Sequence, residues 1–581
     1  MTIRTLRSTL RETDQGGRKP QLLPDGCPVT PLGTQNGLFF YLSALGELRV
    51  LTAREHSKLN IMALFSPHHG FLVEWHPRTN RDGQPTGDFA AERVARDLMH
   101  ACAQRGVWSP DTRLRGRGAW LGRDGDLILH LGDTLYVRGR YEPCGMRDQF
   151  VYPVMRARPR PADEREPGGA DGAAMELRTL LQSWSWARPK LDPMLFLGWI
   201  GAAMVGGALA WRPAVWITGD KGTGKSTLQD VLKHLFGDGE SIYSLADATE
   251  AAIRQRMKFD ALPVAFDEAE AEEDNSRLAA VVKLARIASS GGTIMRGGAD
   301  HEGAEFHVRF CTLYSSILHP PMSAQDRSRI AFLHLRSLPA GAMIRLDPDH
   351  LARLGRRLLR RMADRWPALT QGDAPILGQW QAELMARGLD YRGAAQFGTL
   401  LACADVLLHD HPPDGDTLRR VTESVVNATD EDRADELADW QRCIGHLMSS
   451  LAQAKWSGGE QRSVGTLIAI AAGRPVMPDN QVPTRADRED AQSVLASYGL
   501  RVHPDIDGPD LAVANDHRNL AQVFDNTHWR GRSGASGVWR QALLRAPGAR
   551  PSTIPIRFRG PQARAVLVPL THVLADDGAG S

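Results

Sequence analysis

The sequence predicts an α/β protein: a P-loop core flanked by an N-terminal α+β domain, a helical region and a small C-terminal winged-helix-like domain. Three observations carry this. An apolar strand, Val215-Trp-Ile-Thr, runs directly into Gly219-Asp-Lys-Gly-Thr-Gly-Lys-Ser-Thr. A second apolar strand, Leu262-Pro-Val-Ala-Phe, ends in the acidic pair Asp267-Glu268, 42 residues beyond Lys225. From about 176 to 340 the pattern alternates helix, strand and loop, as an α/β layer does.

The elements follow in order. Residues 1–155 read as the α+β domain, with strands at Gly37-Leu-Phe-Phe-Tyr-Leu and Asp126-Leu-Ile-Leu-His-Leu between turn residues. Residues 156–175 mix proline, glycine and alternating charge with little to bury, and are expected to be a linker. The core spans 176–345 and the helical region 346–480. Within the latter, 349–366 carries Leu351, Leu354, Leu358, Leu359 and Met362 on one stripe. Its other faces hold Arg353, Arg356, Arg357, Arg360, Arg361 and Arg365, which read either as a nucleic-acid path or as a solvated face. Residues 481–581 form the C-terminal module, with Arg530, Arg532, Arg540, Arg545, Arg557, Arg559 and Arg564 near Trp529 and Trp539.

Composition narrows the function classes. The chain has 581 residues, room for about four domains. It is 42% hydrophobic and 24% charged, an ordinary globular mix. With 70 basic against 68 acidic side chains its net charge is only +2, so contact with a polyanion must be a local patch. Six cysteines without a C-x-x-C pair argue against a disulfide framework and a cysteine zinc site. No secretory pattern opens the chain, and the expected compartment is the cytoplasm. Met194–Trp211 is uncharged, but four glycines dilute it and the P-loop follows closely, so it is expected as a buried helix and no membrane association is expected.

The glycine-rich motif fits G-x-x-x-x-G-K-[ST]. Gly219, Lys221, Gly222, Thr223 and Gly224 supply a loop whose backbone N–H groups can wrap phosphates. Lys225 places a charge on the β- and γ-phosphates of ATP. Ser226 offers a hydroxyl to Mg²⁺, and Thr227 continues into a helix. Asp267 can complete the Mg²⁺ shell, while Glu268 can orient and activate the attacking water. A third strand, Phe310-Cys-Thr-Leu-Tyr-Ser-Ser-Ile, places Ser315 and Ser316 where they would emerge beside the γ-phosphate. Asp326-Arg-Ser-Arg then offers Arg327 or Arg329 as a charge supplied to a neighbouring subunit's site. Between the second and third strands, residues 293–308 alternate around a glycine-rich centre and predict a hairpin. Its Arg296 and His301 would lie on a nucleic-acid backbone, or on a plain surface turn.

GDKGTGKST, LPVAFDEAE, the Ser-Ser strand and DRSRI, set within a short span, resemble the helicase part of phage and prophage primase–helicases, which are AAA+ proteins similar to superfamily 3 helicases. The resemblance covers about 190–340. It implies an ATP- and Mg²⁺-dependent DNA helicase, a homo-oligomeric ring of six subunits, and single-stranded and forked DNA as partners during replication of a phage, prophage or mobile element. Two departures stand out. The family's sensor is usually an asparagine, whereas Ser315 and Ser316 occupy that place here. Asp124-Gly-Asp126 sits in a turn rather than in a primase metal site, so the chain reads as a helicase without its own primase, which would be a separate protein. The same motifs would also serve an AAA+ replication initiator, or a remodeller or loader using ATP as a switch.

Overall fold

The computed structural model describes residues 23–574, apart from 221, 246–248, 268–275, 298–302, 317–323, 340–343, 435–438, 452–460, 476–481, 506–507, 526, 528, 531–538 and 561. At its centre is a five-stranded parallel sheet: β1 (Ala214–Thr218), β2 (Tyr243–Leu245), β3 (Val264–Phe266), β4 (Thr312–Ser316) and β5 (Ile330–His334), in the spatial order β2-β3-β4-β1-β5. Strands buried on both faces must be apolar throughout, which is why β1 and β3 read as continuous hydrophobic runs. The two-residue period divides them between two cores. Val215 and Ile217 face one cluster, shared with the helices Asp192–Val205 and Lys225–Leu235. Ala214 and Trp216 face the other, against the helices Glu250–Met257 and Ser276–Ser290. On this second face Phe266, Tyr314, Trp216 and Phe332 lie in register and form one aromatic row, with centroids 5.3, 4.4 and 6.4 Å apart.

The apolar stretch before the P-loop is the helix Asp192–Val205, buried at every position but the partly exposed Met194. Its glycines serve packing. A Cβ at Gly198 would stand 1.9 Å from the Leu400 carbonyl oxygen of the helix Tyr391–Leu408, so only glycine permits that crossing. Among the described residues no helix is long and apolar enough to cross a membrane. The long helix Pro348–Thr370 starts with Asp347 accepting from the His350 N–H and with proline at its first position. It crosses the P-loop helix at Gly355, where a Cβ would lie 1.9 Å from Leu235 O.

Unit boundaries depart from those expected. The N-terminal unit has its own core, packed between the sheet Thr30–Gln35, Leu38–Leu42, Leu48–Thr52 and the helix Ala91–Arg105. The antiparallel sheet from Gly118 to Pro143 instead joins the central core through Ala119, Leu127, Leu129 and Tyr136. The buried pair Arg117–Asp260, at 2.7 Å, ties it there. Leu351, Leu358 and Leu400 share that core, so the first part of the expected helical region belongs to it. The C-terminal unit begins with the helix Asp439–Ser449, well before 481, because Cys443, Leu447, Leu467 and Ile468 pack with Leu495, Leu511 and Val566. Three helices and a four-stranded antiparallel sheet form most of it.

Residues 156–175, expected as a linker, form a strap buckled to the helix Pro348–Thr370. The Ala162 N–H donates to Arg356 O, Arg356 to Arg160 O and Arg360 to Ala162 O. Arg357 grips Glu166 with two nitrogens at 2.7 and 3.0 Å, and Glu166 also caps the Ala173 N–H. Arg361, only 3% exposed, donates to Glu166 O, Val406 O, His409 O and Asp410. Arg356, Arg357, Arg360 and Arg361 of the arginine stripe therefore hold the strap, while Arg353 is exposed.

Candidate nucleotide site

The P-loop leaves β1 at Thr218, whose hydroxyl shares a 2.6 Å hydrogen bond with His334 Nδ1 at the end of β5. Gly222 and Gly224 both take φ of +85°, a conformation that disfavours side chains, and a Cβ at Gly222 would meet nothing within 4 Å. Thr223 Oγ1 donates back to Asp220 O at 2.9 Å, tightening the loop. Gly224 is the N-cap of the helix Lys225–Leu235, and no side chain caps that terminus. The first-turn N–H groups of Lys225, Ser226 and Thr227 thus face the loop's hollow, an arrangement that favours anions. Lys225 Nζ lies across the loop, donating to the carbonyl oxygens of Gly219 and Asp220. Lys221 lies outside the described residues.

Asp267 follows β3 directly and is half-buried. Its N–H donates to Leu245 O at 3.0 Å. The register places it level with Ile217, two strands from the P-loop strand, about 10 Å at ordinary strand spacing. Glu268 lies outside the described residues. Between them β4 ends in Ser315 and Ser316, and here the structure corrects the sequence reading. Both serines are buried rather than emergent, and Ser316 Oγ accepts from Trp216 Nε1 at 2.8 Å.

Arg327 and Arg329 stand at the opposite end of the strands, before β5, which pairs with the P-loop strand. Ile330 is level with Ala214 and His334 with Thr218, so the arginines precede β5 by its whole length, about 13 Å from the P-loop end. The Arg327 guanidinium sits 5.0 Å from the Phe332 ring, at the end of the aromatic row. Asp326, which precedes them, is bonded to Arg286 at 2.9 Å. Burial, then neighbouring Arg392 and Arg286, holds the Arg329 guanidinium below the ordinary arginine value. The expected hairpin is present as Thr293–Gly297 paired with Gly303–His307, placing Arg296 opposite Ala304. The Arg296 side chain and His301 fall outside what is described.

Sequence reasoning missed Trp184. Its indole N–H donates to Gly224 O at 3.0 Å, and its ring lies where a Gly224 Cβ would have to go. The segment around it bonds along β5, through Ala187 N–H to His334 O and Arg336 N–H to Ser185 O. No motif or periodicity marks this residue. Only the contact across 40 positions reveals it. Asp124 and Asp126 both face Arg138, and Gly125 O between them accepts from Trp366 and Gln371.

No protein-family model matches the chain, and no curated protein matches it. Among solved structures, one apo structure of the NrS-1 C-terminal region is 9% identical with a TM-score of 0.36, over 93% of this chain and 96% of that one. A second, the A-form apo structure of the same region, is 11% identical with a TM-score of 0.35, over 93% and 97%. At these TM-scores the likeness does not carry function, which rests on the chain's own residues.

Proposed function

We propose that the chain is a Mg²⁺-dependent ATPase of the AAA+, superfamily 3-like kind, whose subunits form a ring that unwinds DNA during replication of a phage, prophage or mobile element. One observation carries the reading. The loop and Asp267 lie at the carboxyl ends of their strands while the arginines that would finish the site stand at the amino end of β5, which favours completion by a second subunit.

The residues fit the nucleotide. Two left-handed glycines, an uncapped helix N-terminus and Lys225 make a cradle for a polyphosphate. When bound, Mg²⁺ would offset phosphate charge; Ser226 and Asp267 are the residues to hold it. Lys225 binds the terminal phosphates. Glu268 orients a water and takes its proton, and Arg327 or Arg329 of the next subunit neutralises charge in the transition state. Repeated around a six-fold ring, Arg296 and His301 form a basic collar for single-stranded DNA, the one kind of contact open to a near-neutral chain. The unit 439–574, with helices followed by a strand pair, is read as a DNA-facing module of winged-helix type.

The test is ATP turnover with and without single-stranded DNA. Stimulation by DNA, lost in Arg296→Ala while DNA-free turnover persists, is expected. Turnover indifferent to DNA would favour the remodeller or loader reading.

A further inference from the structure

The chain as a whole is nearly neutral, yet residues 526–575 contain no aspartate or glutamate and eight arginines. At the chain's average of 68 acids in 581 residues, a stretch of that length would hold about six. The rest of the chain is therefore net acidic, and the cationic charge is segregated into the C-terminal unit.

Folding sorts these arginines further. Arg550 is bonded to Asp510, and Arg530 to Asp525, so these two are neutralised. Arg557, Arg559 and Arg564 are not. The short hairpin Ile556–Arg557 with Gln562–Ala563 buries Ile556 and Phe558 against Ala512, Ala514 and Ala565. Alternation then turns Arg557 and Arg559 outward, and Arg564 is turned outward in the same way before buried Ala565. Exposed Arg501 joins them, its Nη1 donating to Arg557 O at 2.9 Å at the hairpin's root. Among the described residues, none of these four guanidinium groups has a carboxylate within ion-pair distance.

We infer that this hairpin face is a binding site for the phosphodiester backbone of duplex DNA, separate from the collar at Arg296. Guanidinium groups pair with phosphate oxygens through parallel N–H bonds, and four of them on one projecting face match a repeating phosphate chain. Duplex is favoured over single strand by what the face lacks. Sites for single strands offer exposed rings on which bases stack. Here Phe524, Trp529, Trp539 and Phe558 are all buried, leaving charge without a stacking surface. The site would hold the unopened arm of a fork while the ring works on one strand. It rests on the reading of 439–574 as DNA-facing, and not on ATP turnover.

The experiment is a salt titration of binding by the full chain without nucleotide, using a fluorescent 30-base-pair duplex and a single strand of equal length. Arg557→Ala/Arg559→Ala/Arg564→Ala should weaken duplex binding about tenfold or more and lower the log–log salt slope by about 2.7, since each lost phosphate contact removes about 0.9. Single-strand binding should change much less. Replacing the same three with lysine should restore most duplex affinity, because non-specific phosphate contact needs charge more than geometry. Unchanged duplex affinity in the alanine variant overturns the inference. So does an equal loss in the lysine variant, which would mark a folding defect, or a larger loss for the single strand. Wild-type ATP turnover is measured alongside: if it is absent, the ATPase reading fails while duplex binding is judged on its own.

Discussion

At the scale of single residues, the cradle makes the sharpest prediction. Lys225→Ala should abolish ATP binding, whereas Glu268→Gln should keep binding and stop turnover, as equilibrium binding of a fluorescent ATP analogue beside phosphate release would show. Near wild-type hydrolysis by Glu268→Gln would assign water activation to another carboxylate. A second prediction concerns Asp192, fully buried at the start of its helix and bonded to Arg188 Nε at 2.8 Å. Burial outweighs that partner and pushes its carboxyl up to about 6. The folded chain thus holds this proton more tightly than the unfolded one. Stability relative to Asp192→Asn should grow by about 1.3 kcal/mol as pH falls from 7 to 5, reach its full size of about 3 kcal/mol only below pH 4, and vanish as pH rises through 6. The difference in melting temperature between the two proteins across that range measures it. The loop's glycines were legible because G-x-x-x-x-G-K-[ST] is a local demand on backbone shape, seen in the φ of Gly222 and Gly224. Trp184 was not, because its partner lies 40 residues away and nothing local distinguishes it.

At the scale of elements, two contacts of the helix Pro348–Thr370 decide how the core is held. Gly355 touches the P-loop helix backbone, so Gly355→Ala must push the helices apart, costing about 3 kcal/mol and weakening ATP binding with it. Arg361→Ala leaves three backbone carbonyls and the half-exposed Asp410 carboxylate without their donor, a loss of about 2–4 kcal/mol. Exposed Arg353→Ala on the same helix should cost under about 0.5 kcal/mol. Urea unfolding of the three variants ranks them. The helix itself was plain from its leucine spacing. What its arginines do was hidden, because Glu166 and the carbonyls they bind stand about 190 positions away in a stretch whose composition matches a linker. Composition reports what a segment could do alone, not which partner will order it.

At the scale of the whole molecule, the position of Arg327 and Arg329 predicts concentration-dependent turnover, since a site finished from a neighbour exists only in the assembly. Mixing Arg327→Ala with Lys225→Ala subunits should restore part of the activity that each lacks. Concentration-independent turnover by a monomer would remove the ring. The central α/β sheet could be read from three apolar runs, because strands buried on both faces need no partner to be recognised. Unit boundaries could not. The sheet Gly118–Pro143 and the helices after 346 share the central core through contacts distant in sequence, and chain order does not report who shares a core.

The strap also determines how the chain meets a protease. Between 156 and 166 the bonds open to trypsin are those after Arg156 and Arg165, since Arg158 and Arg160 each precede a proline, and the segment's composition invites cutting. A scissile bond must be drawn out with several neighbours on either side to enter such an enzyme. Here Arg158 is buried with its Nε on Ser241, and the backbone around it is bonded to Leu131 and Arg356. Nicking this region therefore requires the buckle at Glu166 to open first. The rate of cleavage there, followed over time in the native protein, would report how often the front of the molecule lets go of its core.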